Sequence, residues 1–568
     1  MEPRVRIDRV RVRNFRNLAD LDLSLLPGTV VVGENRAGKS NLVHAIRLVL
    51  DPGMSSLDRR LTREDFWDGL SDGTVDWDPM RAGQEIEISV DIVDFDDDPA
   101  VLAALSDALV AQEPLRARLT YKFAPVDTGS SNGGDRVKYR FNIFGGETAE
   151  QLVAADLRDH LHLVFLHALR DVESHLNSRR GSPLRALLEA AAQSVDEGDL
   201  AKVRDAMREA NQSLNGLKQI TEVSTGINNR ITTIVGPKQA LETDLKVASD
   251  DPLRLIRNMK LMVDGTAGRR LGSTSLGTLN VLYLALLELQ LEQRLTDSDI
   301  AHVVMAIEEP EAHLHPHVQR LVFRRFLSDE QSARSVLVTT QSPHIASVTS
   351  PRSLVVMRDV GGRTTAAAAH TADLAEADWD DIARYLDATR AEMVFARSVL
   401  LVEGYAEQVL VPAVARTAGI DLDKLGITVC AIHGTHFRSY AKFCTALGIP
   451  WAVLTDGDDG AGQARATNLG GEFGGVTANI FVGTTTFEND LLNADARNIE
   501  PCFSVLRELG SSQMCARVEG WNGTPPGQEP FLSAISTVGG KGRFAHRLSR
   551  HEVHAPAYVL RALEHLSS

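Results

Sequence analysis

A chain of 568 residues, 43% hydrophobic and 24% charged, has the composition of a globular protein long enough for about three or four domains. No run approaches the ~18 consecutive apolar residues of a membrane span, and the arginine-rich opening MEPRVRIDRVRVRNFRN lacks the apolar core and cleavage site of a signal peptide. The net charge of −16 weighs only weakly against nucleic acid, because a basic groove can be local on an acidic protein.

From Arg4 to Arg13 arginine alternates with valine or isoleucine, which predicts strands with one solvated face. The strand-like TVVVGEN then enters GENRAGKS, Gly33 to Ser40, and the helical NLVHAIRLVL follows. This is G-x-x-x-x-G-K-[ST] in the context it requires, a strand before and a helix after. Backbone amides of such a loop cradle phosphate oxygens, aided by the positive end of the helix. The candidate nucleotide contacts are Gly33, Asn35, Ala37, Gly38, Lys39, Ser40 and Asn41. Lys39 would reach the β- and γ-phosphates, and Ser40 would ligate the Mg²⁺ that accompanies ATP.

The first part of this domain is expected to end at ALRDVESHL, Ala168 to Leu176. From Ser182 to about Asp250 the chain is polar and helical in character. Val203, Met207, Ala210, Leu214 and Leu217 form a stripe at about 3.5-residue spacing, suited to a helix pair that dimerises or to an ordinary amphipathic helix. Next, STSLGTLNVLYLALLEL places Ser275, Gly277 and Asn280 before a strongly apolar helix. In HVVMAIEEPEAHLHP an apolar strand, Val303 to Ile307, ends on Glu308 and Glu309. A P-loop needs an acid on a neighbouring strand. The first glutamate can hold the Mg²⁺ shell, and the second can orient or deprotonate the attacking water. His313, His315 and His317 straddle Pro316, which breaks the helical spacing a zinc site would use, so a loop role is expected. SVLVTTQSPHI reads as a strand running into a polar turn at Gln341.

These pieces, in this order, resemble the ABC-type ATPase heads of the structural-maintenance-of-chromosomes and recombination-protein group. In that group SLGTLN stands where the signature loop does, and the resemblance implies that Ser275 and Gly277 contact nucleotide on an opposed second head. The usual switch histidine is replaced by Gln341, His344 lies three residues later, and no glutamine loop is evident. Nucleotide binding is therefore a firmer expectation than rapid hydrolysis.

A second domain begins near residue 391. LLVEGYAEQVL carries Glu403 at the end of an apolar strand (Ser398 to Val402), Gly404 to permit the turn, and Glu407 in the first turn of a helix. VCAIHGTHF supplies another strand, and GIPWAVLTDGDDGAG ends a third on Asp456 and Asp458. Parallel strands would gather these acids at their carboxyl ends, where open α/β sheets place their sites. Four or five acids without basic partners would repel one another unless divalent cations held them. Cys430, Cys444, Cys502 and Cys515 show no CxxC spacing, which argues against zinc and disulfides and fits a reducing cytoplasm.

Strand, glutamate, glycine, helix and then D-x-D resembles a Toprim domain, shared by topoisomerases, primases and one class of nucleases. With GTTTFENDLL, VGGKGRFAHRL and the ATPase head before them, the chain resembles the overcoming-lysogenization-defect (OLD) family of nucleases, which includes the Gabija antiviral nuclease subunit. The implied fold is α/β: an ABC-type P-loop ATPase domain (1–175 and 251–390) with a helical insertion (176–250), then a parallel α/β Toprim nuclease domain (391–568). The resemblance implies Glu403, Glu407, Asp456, Asp458 and Glu488 (with Thr486 beside it) as ligands of two Mg²⁺ or Mn²⁺ ions about 4 Å apart. It implies Glu403 and Lys541 as catalytic in phosphodiester hydrolysis, and Glu309 as catalytic in the ATPase. Arg543, Arg547 and Arg550 would meet the backbone of double-stranded DNA. The implied partners are further copies, as a homodimer or tetramer, and a helicase-like protein, with no membrane. Two rivals stay open: an ATP-gated DNA clamp or repair scaffold with an inert Toprim domain, and a topoisomerase, for which none of the seven tyrosines stands in a recognisable nucleophile segment.

Overall fold

The computed structural model describes all residues except 1–4, 75, 127–136, 149–160, 167–175, 177–181, 238–250, 264–268, 272–273, 297–301, 329–333, 387–389, 476 and 568. The expected end of the first ATPase segment, 168–176, lies outside the described residues apart from Leu176, as do the last residues of the 176–250 insertion. Contacts divide the chain into two compact units, one of residues 1–168, 299–311 and 315–568, the other of 169–298 and 312–314.

The first unit holds three sheets. Arg6–Phe15 lies between Leu18–Ser24 and Ile86–Val93 in an antiparallel sheet that continues through Leu115–Pro125. Its alternation is the one expected: Val10, Val12 and Phe15 are fully buried, while the arginines face aspartates across the strands. Asp91, itself buried, takes Arg11 at 3.0 Å and Arg118 at 2.7 Å. These arginines serve the sheet.

The second sheet runs Arg363–Ala368, Leu354–Val360, Thr29–Gly33, Arg334–Thr340, His302–Glu308, Leu161–Leu166, parallel except for its first pair. Val30 to Val32 and Val303 to Ile307 are buried on both faces, which is why they read as unbroken apolar runs. The strand that carries Glu308 is not the immediate neighbour of the P-loop strand, as expected above; Arg334–Thr340 pairs with both and lies between them. The helix Lys39–Leu50 buries Leu42, Val43, Ile46 and Val49 in one cluster with Val12 and Phe15 of the antiparallel sheet and Val31 and Leu337 of the parallel one.

The third sheet is fully parallel, in the order Ile427–Ala431, Ser398–Val402, Trp451–Thr455, Ile480–Val482. Its central strands therefore end side by side, one on Glu403 and the other on Asp456. The helix Tyr405–Thr417 packs through Leu410 and Val414 into a core shared with Phe487, Phe544, Leu548 and Val559. That core brings the helix Lys541–Leu548 back to the strand ends from far along the chain.

The second unit is helical: Pro183–Ser194, Glu197–Asn215, Lys218–Val235, Pro252–Arg257 and Leu276–Thr296. The expected apolar stripe does not stay on one helix. The chain breaks at Gly216, Leu217 caps the next helix, and Val203 and Leu217 are exposed while Met207 is buried. Among the described residues no helix is long and apolar enough to cross a membrane.

Candidate functional site

The P-loop closes on Gly38, whose φ of 93° is left-handed backbone that glycine adopts without strain. Lys39 is buried, and its ammonium donates to the carbonyls of Gly33 at 2.7 Å and Glu34 at 3.1 Å. Burial lowers its pKa, and the charges of Glu309 and Glu311 act against that. Glu308 takes a hydrogen bond from Ser40, yet burial keeps its pKa above the usual carboxylate range. The two sequence-predicted Mg²⁺ contacts thus meet across the intervening strand.

Glu309 stands in left-handed backbone (φ 40°), and its Oε1 accepts from Gln341 Nε2 at 2.6 Å. The residue at the switch position therefore holds the water-orienting candidate directly. Glu311 carried no signal of its own in the sequence. Its carboxylate accepts from the Gln341 amide at 2.7 Å and from Thr340 Oγ1 at 2.9 Å, fixing the turn. His344 and His317 both face Arg320, at 3.2 and 2.8 Å. In the helical unit, Ser275 Oγ caps Thr278, buried Asn280 donates to the Ala312 carbonyl at 2.8 Å, and a Cβ on Gly277 would lie 2.7 Å from the His313 carbonyl oxygen. Glycine is the residue that close approach admits.

At the carboxyl end of the third sheet, Glu403 Oε1 accepts from Thr455 Oγ1 at 2.6 Å and from the Asp456 amide at 3.0 Å. Asp456 Oδ1 accepts from the Phe487 amide at 2.9 Å, tying the D-x-D to the next segment. Gly404 is extended (φ −150°), so the turn does not demand a glycine there. Asp490 holds the loop before Glu488 by accepting from Thr484 N at 2.7 Å and Thr485 Oγ1 at 2.6 Å. Glu488 is 1% exposed, and the Lys541 ammonium lies 2.9 Å from its Oε2. Glu403, Glu407, Asp456, Glu488 and Lys541 act on one another electrostatically, so the structure brings these five together.

Asp458 stands apart on a left-handed turn (φ 41°) and is tied instead to Arg465. Arg465 was not foreseen, and the premise that these acids lack basic partners fails: Arg465 and Lys541 lie among them. Of the arginines after Lys541, Arg547 pairs with Glu508 at 3.3 Å and Arg543 reaches the Val538 carbonyl at 3.4 Å.

Burial drives the Asp456 carboxyl up to about 8, with Glu403 and Glu407 adding repulsion. Burial likewise lifts Glu407 to about 7, with Glu488 as its main repelling charge. Burial opposes the Lys541 ammonium, but Glu488 and then Asp456 outweigh it and raise its pKa. The chemistry of the donors fits a divalent cation: all are carboxylate or hydroxyl oxygens. Thr486 Oγ1 is buried without a hydrogen-bond partner, as are both oxygens of Glu488 apart from the Lys541 ion pair. Among the described residues, however, no three carboxylate, imidazole or thiol groups are placed to hold one ion together as they stand.

A pH dependence follows. Glu407 and Asp456 have folded pKa values above their unfolded ones, so their contribution to stability is full below about pH 4 and is lost as the pH rises toward 8. Between pH 6 and 8 the chelated protein should lose about 4 kcal/mol, or roughly 3–5 °C in the melting temperature of a unit this large. Mn²⁺ at pH 8 should restore it. A melting temperature flat across this range would show that the two acids do not share a buried site.

The sheet order, the P-loop, the Glu308–Glu309 pair and the Ser275 segment define an ABC-type P-loop ATPase head with a helical insertion, and the third sheet with its acids is a Toprim domain. Residues 29–347 match the family described as "AAA domain, putative AbiEii toxin, Type IV TA system", and residues 394–458 match "Overcoming lysogenization defect protein-like, TOPRIM domain". The chain is 27% identical over 475 residues to an OLD nuclease of Thermus scotoductus, covering 80% of this chain and 82% of that protein. It is 20% identical to the endonuclease GajA of Bacillus cereus, covering 80% of this chain and 75% of the other. Among solved structures, the C-terminal region of the Burkholderia pseudomallei OLD protein is 33% identical, over 30% of this chain and 97% of that one, with a TM-score of 0.28. The chain belongs to the OLD family. Glu488 and Lys541 lie beyond the matched Toprim residues and stand on the geometry described above.

Proposed function

We propose that the chain is a nucleotide-regulated, divalent-metal-dependent endonuclease that cleaves or nicks double-stranded DNA, acting as a homodimer or tetramer in defence against foreign DNA. The observation that carries the reading is the ion pair between buried Glu488 and half-exposed Lys541, beside Glu407 and Asp456. A buried acid cluster with one half-exposed ammonium is a costly arrangement for a binding scaffold to keep. The OLD nuclease and endonuclease names of its relatives support the same reading.

Divalent cations bound by Glu403, Glu407, Asp456, Asp458 and Glu488 would supply an activated water and neutralise the leaving 3′-oxygen. The remaining work falls to the chain itself. Glu407 and Asp456 give up protons as the site charges. Thr455 and the Asp456 amide fix Glu403 so that its second oxygen stays available. Lys541 offsets the negative charge that grows on the phosphoryl oxygens.

In the ATPase half, Lys39 would exchange the loop carbonyls for phosphate oxygens, Ser40 and Glu308 would hold Mg²⁺, and Gln341 would have to release Glu309 before that acid could orient water. Hydrolysis is accordingly slow, and ATP acts chiefly as a regulator.

Supercoiled plasmid incubated with the full chain and Mg²⁺ or Mn²⁺ should be converted to open-circular or linear DNA, with EDTA blocking conversion. Closed, relaxed circles would indicate a topoisomerase instead. Intact plasmid bound by a folded, ATP-binding protein would leave the ATP-gated clamp.

A further inference from the structure

Arg465 is the cation that the acids of the third sheet were expected to lack. It sits on the helix Ala461–Glu472, which approaches the strand end closely because a Cβ on Gly462 would fall 2.0 Å from the Asp456 carbonyl oxygen. Its Nη2 donates to that carbonyl at 2.8 Å, to Asp458 Oδ2 at 3.0 Å and to Glu403 Oε1 at 3.3 Å, and its Nε donates to Thr455 Oγ1 at 3.0 Å. The guanidinium side chain is 25% exposed, so these bonds are only partly screened by water.

These contacts are unequal. Thr455 Oγ1 and the Asp456 carbonyl belong to the rigid strand end, and Glu403 Oε1 is already held there by two other donors. Asp458 is 41% exposed and rides on consecutive left-handed residues, Asp458 and Asp459, so it is the partner most easily given up. A guanidinium bridging Glu403 and Asp458 also repels any divalent ion shared by these two. A divalent cation and a guanidinium on the same carboxylate repel each other, less strongly where water reaches the pair. The guanidinium in its present place and an ion on Asp458 exclude one another. Glu407, Asp456 and Glu488 form the buried group that Lys541 faces, and Thr486 Oγ1, buried without a hydrogen-bond partner, precedes Glu488 by two residues.

We infer that Arg465 is an internal counter-cation that holds Glu403 and Asp458 in the metal-free protein and yields Asp458 to a second divalent ion, so that the site fills in two steps of unequal affinity. Arg465 is thereby a positioning residue that sets the cation concentration at which the site is complete. The inference rests on the metal-site reading above, and its test reads binding, with no need for cleavage.

Nucleotide-free full-length protein would be titrated with Mn²⁺ and free ion followed by electron paramagnetic resonance. The wild type should bind one ion tightly and a second on the order of tenfold or more weakly. In Arg465→Gln the second affinity should tighten on the order of tenfold or more, with the first nearly unchanged. Should the glutamine variant not fold, Arg465→Lys carries the test. Its single ammonium cannot span both carboxylates, so the second ion should tighten several-fold. A second affinity that is unchanged or weaker in a folded variant would overturn the inference and make Arg465 an ordinary orienting residue. A wild type that binds no Mn²⁺ would overturn the metal site itself, and this inference with it.

Discussion

Asp456→Asn should take plasmid cleavage below detection while leaving ATP binding and hydrolysis at the wild-type level, and Lys39→Ala should abolish ATP binding while leaving the Toprim acids intact. Asparagine is the informative replacement at 456, because its amide oxygen still accepts from the Phe487 amide, now at 2.9 Å. Alanine would leave that buried donor unpaired at about 1–3 kcal/mol and confuse folding with chemistry. What asparagine removes is the charge that Asp456 acquires when a cation displaces its proton, and a ligand that cannot charge cannot neutralise the ion. Changes one shell further out cost about 10–100-fold, so losing the ligand itself should cost on the order of 10³-fold or more. Melting should move upward in the chelated variant, since a buried acid pushed up to about 8 has been replaced by a neutral group. Loss of both activities in folded Asp456→Asn would deny that the chain holds two separable sites.

The two sites are nonetheless physically joined. Arg397, just before the strand Ser398–Val402 that ends on Glu403, donates to Glu34 of the P-loop at 2.7 and 3.2 Å. Arg358 holds the Ala396 and Arg397 carbonyls at 2.6 and 2.9 Å. Glu34 is thereby tied to the residue that immediately precedes the strand ending on Glu403.

Neither of these arginines stood out in the sequence, and the reason is physical. The P-loop, Glu308–Glu309, Glu403 with Glu407, and the D-x-D were legible because each is local: an apolar run, a turn, and a reactive side chain within a few residues. The parallel sheet was legible from the unbroken valine and leucine runs, which only a strand buried on both faces tolerates. Arg465 was not, because it lies on a helix of low amphipathic contrast and owes its role to Asp458 and Glu403 reaching it from elsewhere. The place of Arg334–Thr340 between the P-loop strand and the Glu308 strand was not legible for the same reason: strand order is decided by crossover connections and leaves no mark within a strand. Gly404 misled in the opposite sense. Its place after a strand suggested a turn that needs glycine, yet the backbone there is extended. The apolar stripe from Val203 to Leu217 kept helical spacing through Gly216, where the helix itself stops.

Lys541→Ala should slow DNA cleavage on the order of 10²–10³-fold, the cost of removing one electrostatic contact matched to transition-state charge. The structure excludes the blandest reading, a lysine facing solvent, because its ammonium lies 2.9 Å from a carboxylate that is 1% exposed. It raises a sharper rival: Lys541 could serve only to neutralise Glu488. Removing it would then leave a buried carboxylate unpaired, which is strongly destabilising where a pair is fully buried and less so here, since the lysine side chain is 51% exposed. The two readings separate in the double variant Lys541→Ala/Glu488→Gln. If neutralisation is the whole role, the second change removes the orphaned charge, and both melting temperature and Mn²⁺ affinity at the remaining acids should recover toward those of Glu488→Gln alone, with cleavage following. If the ammonium acts on the scissile phosphate, stability recovers while the rate stays well below that of Glu488→Gln alone. Lys541→Arg should restore the ion pair but only part of the rate, because a planar fork cannot take the place of a compact point charge. A Lys541→Ala protein that nicks plasmid at close to the wild-type rate would remove this residue from the mechanism and leave Glu488 with an ion-pair partner of structural value alone.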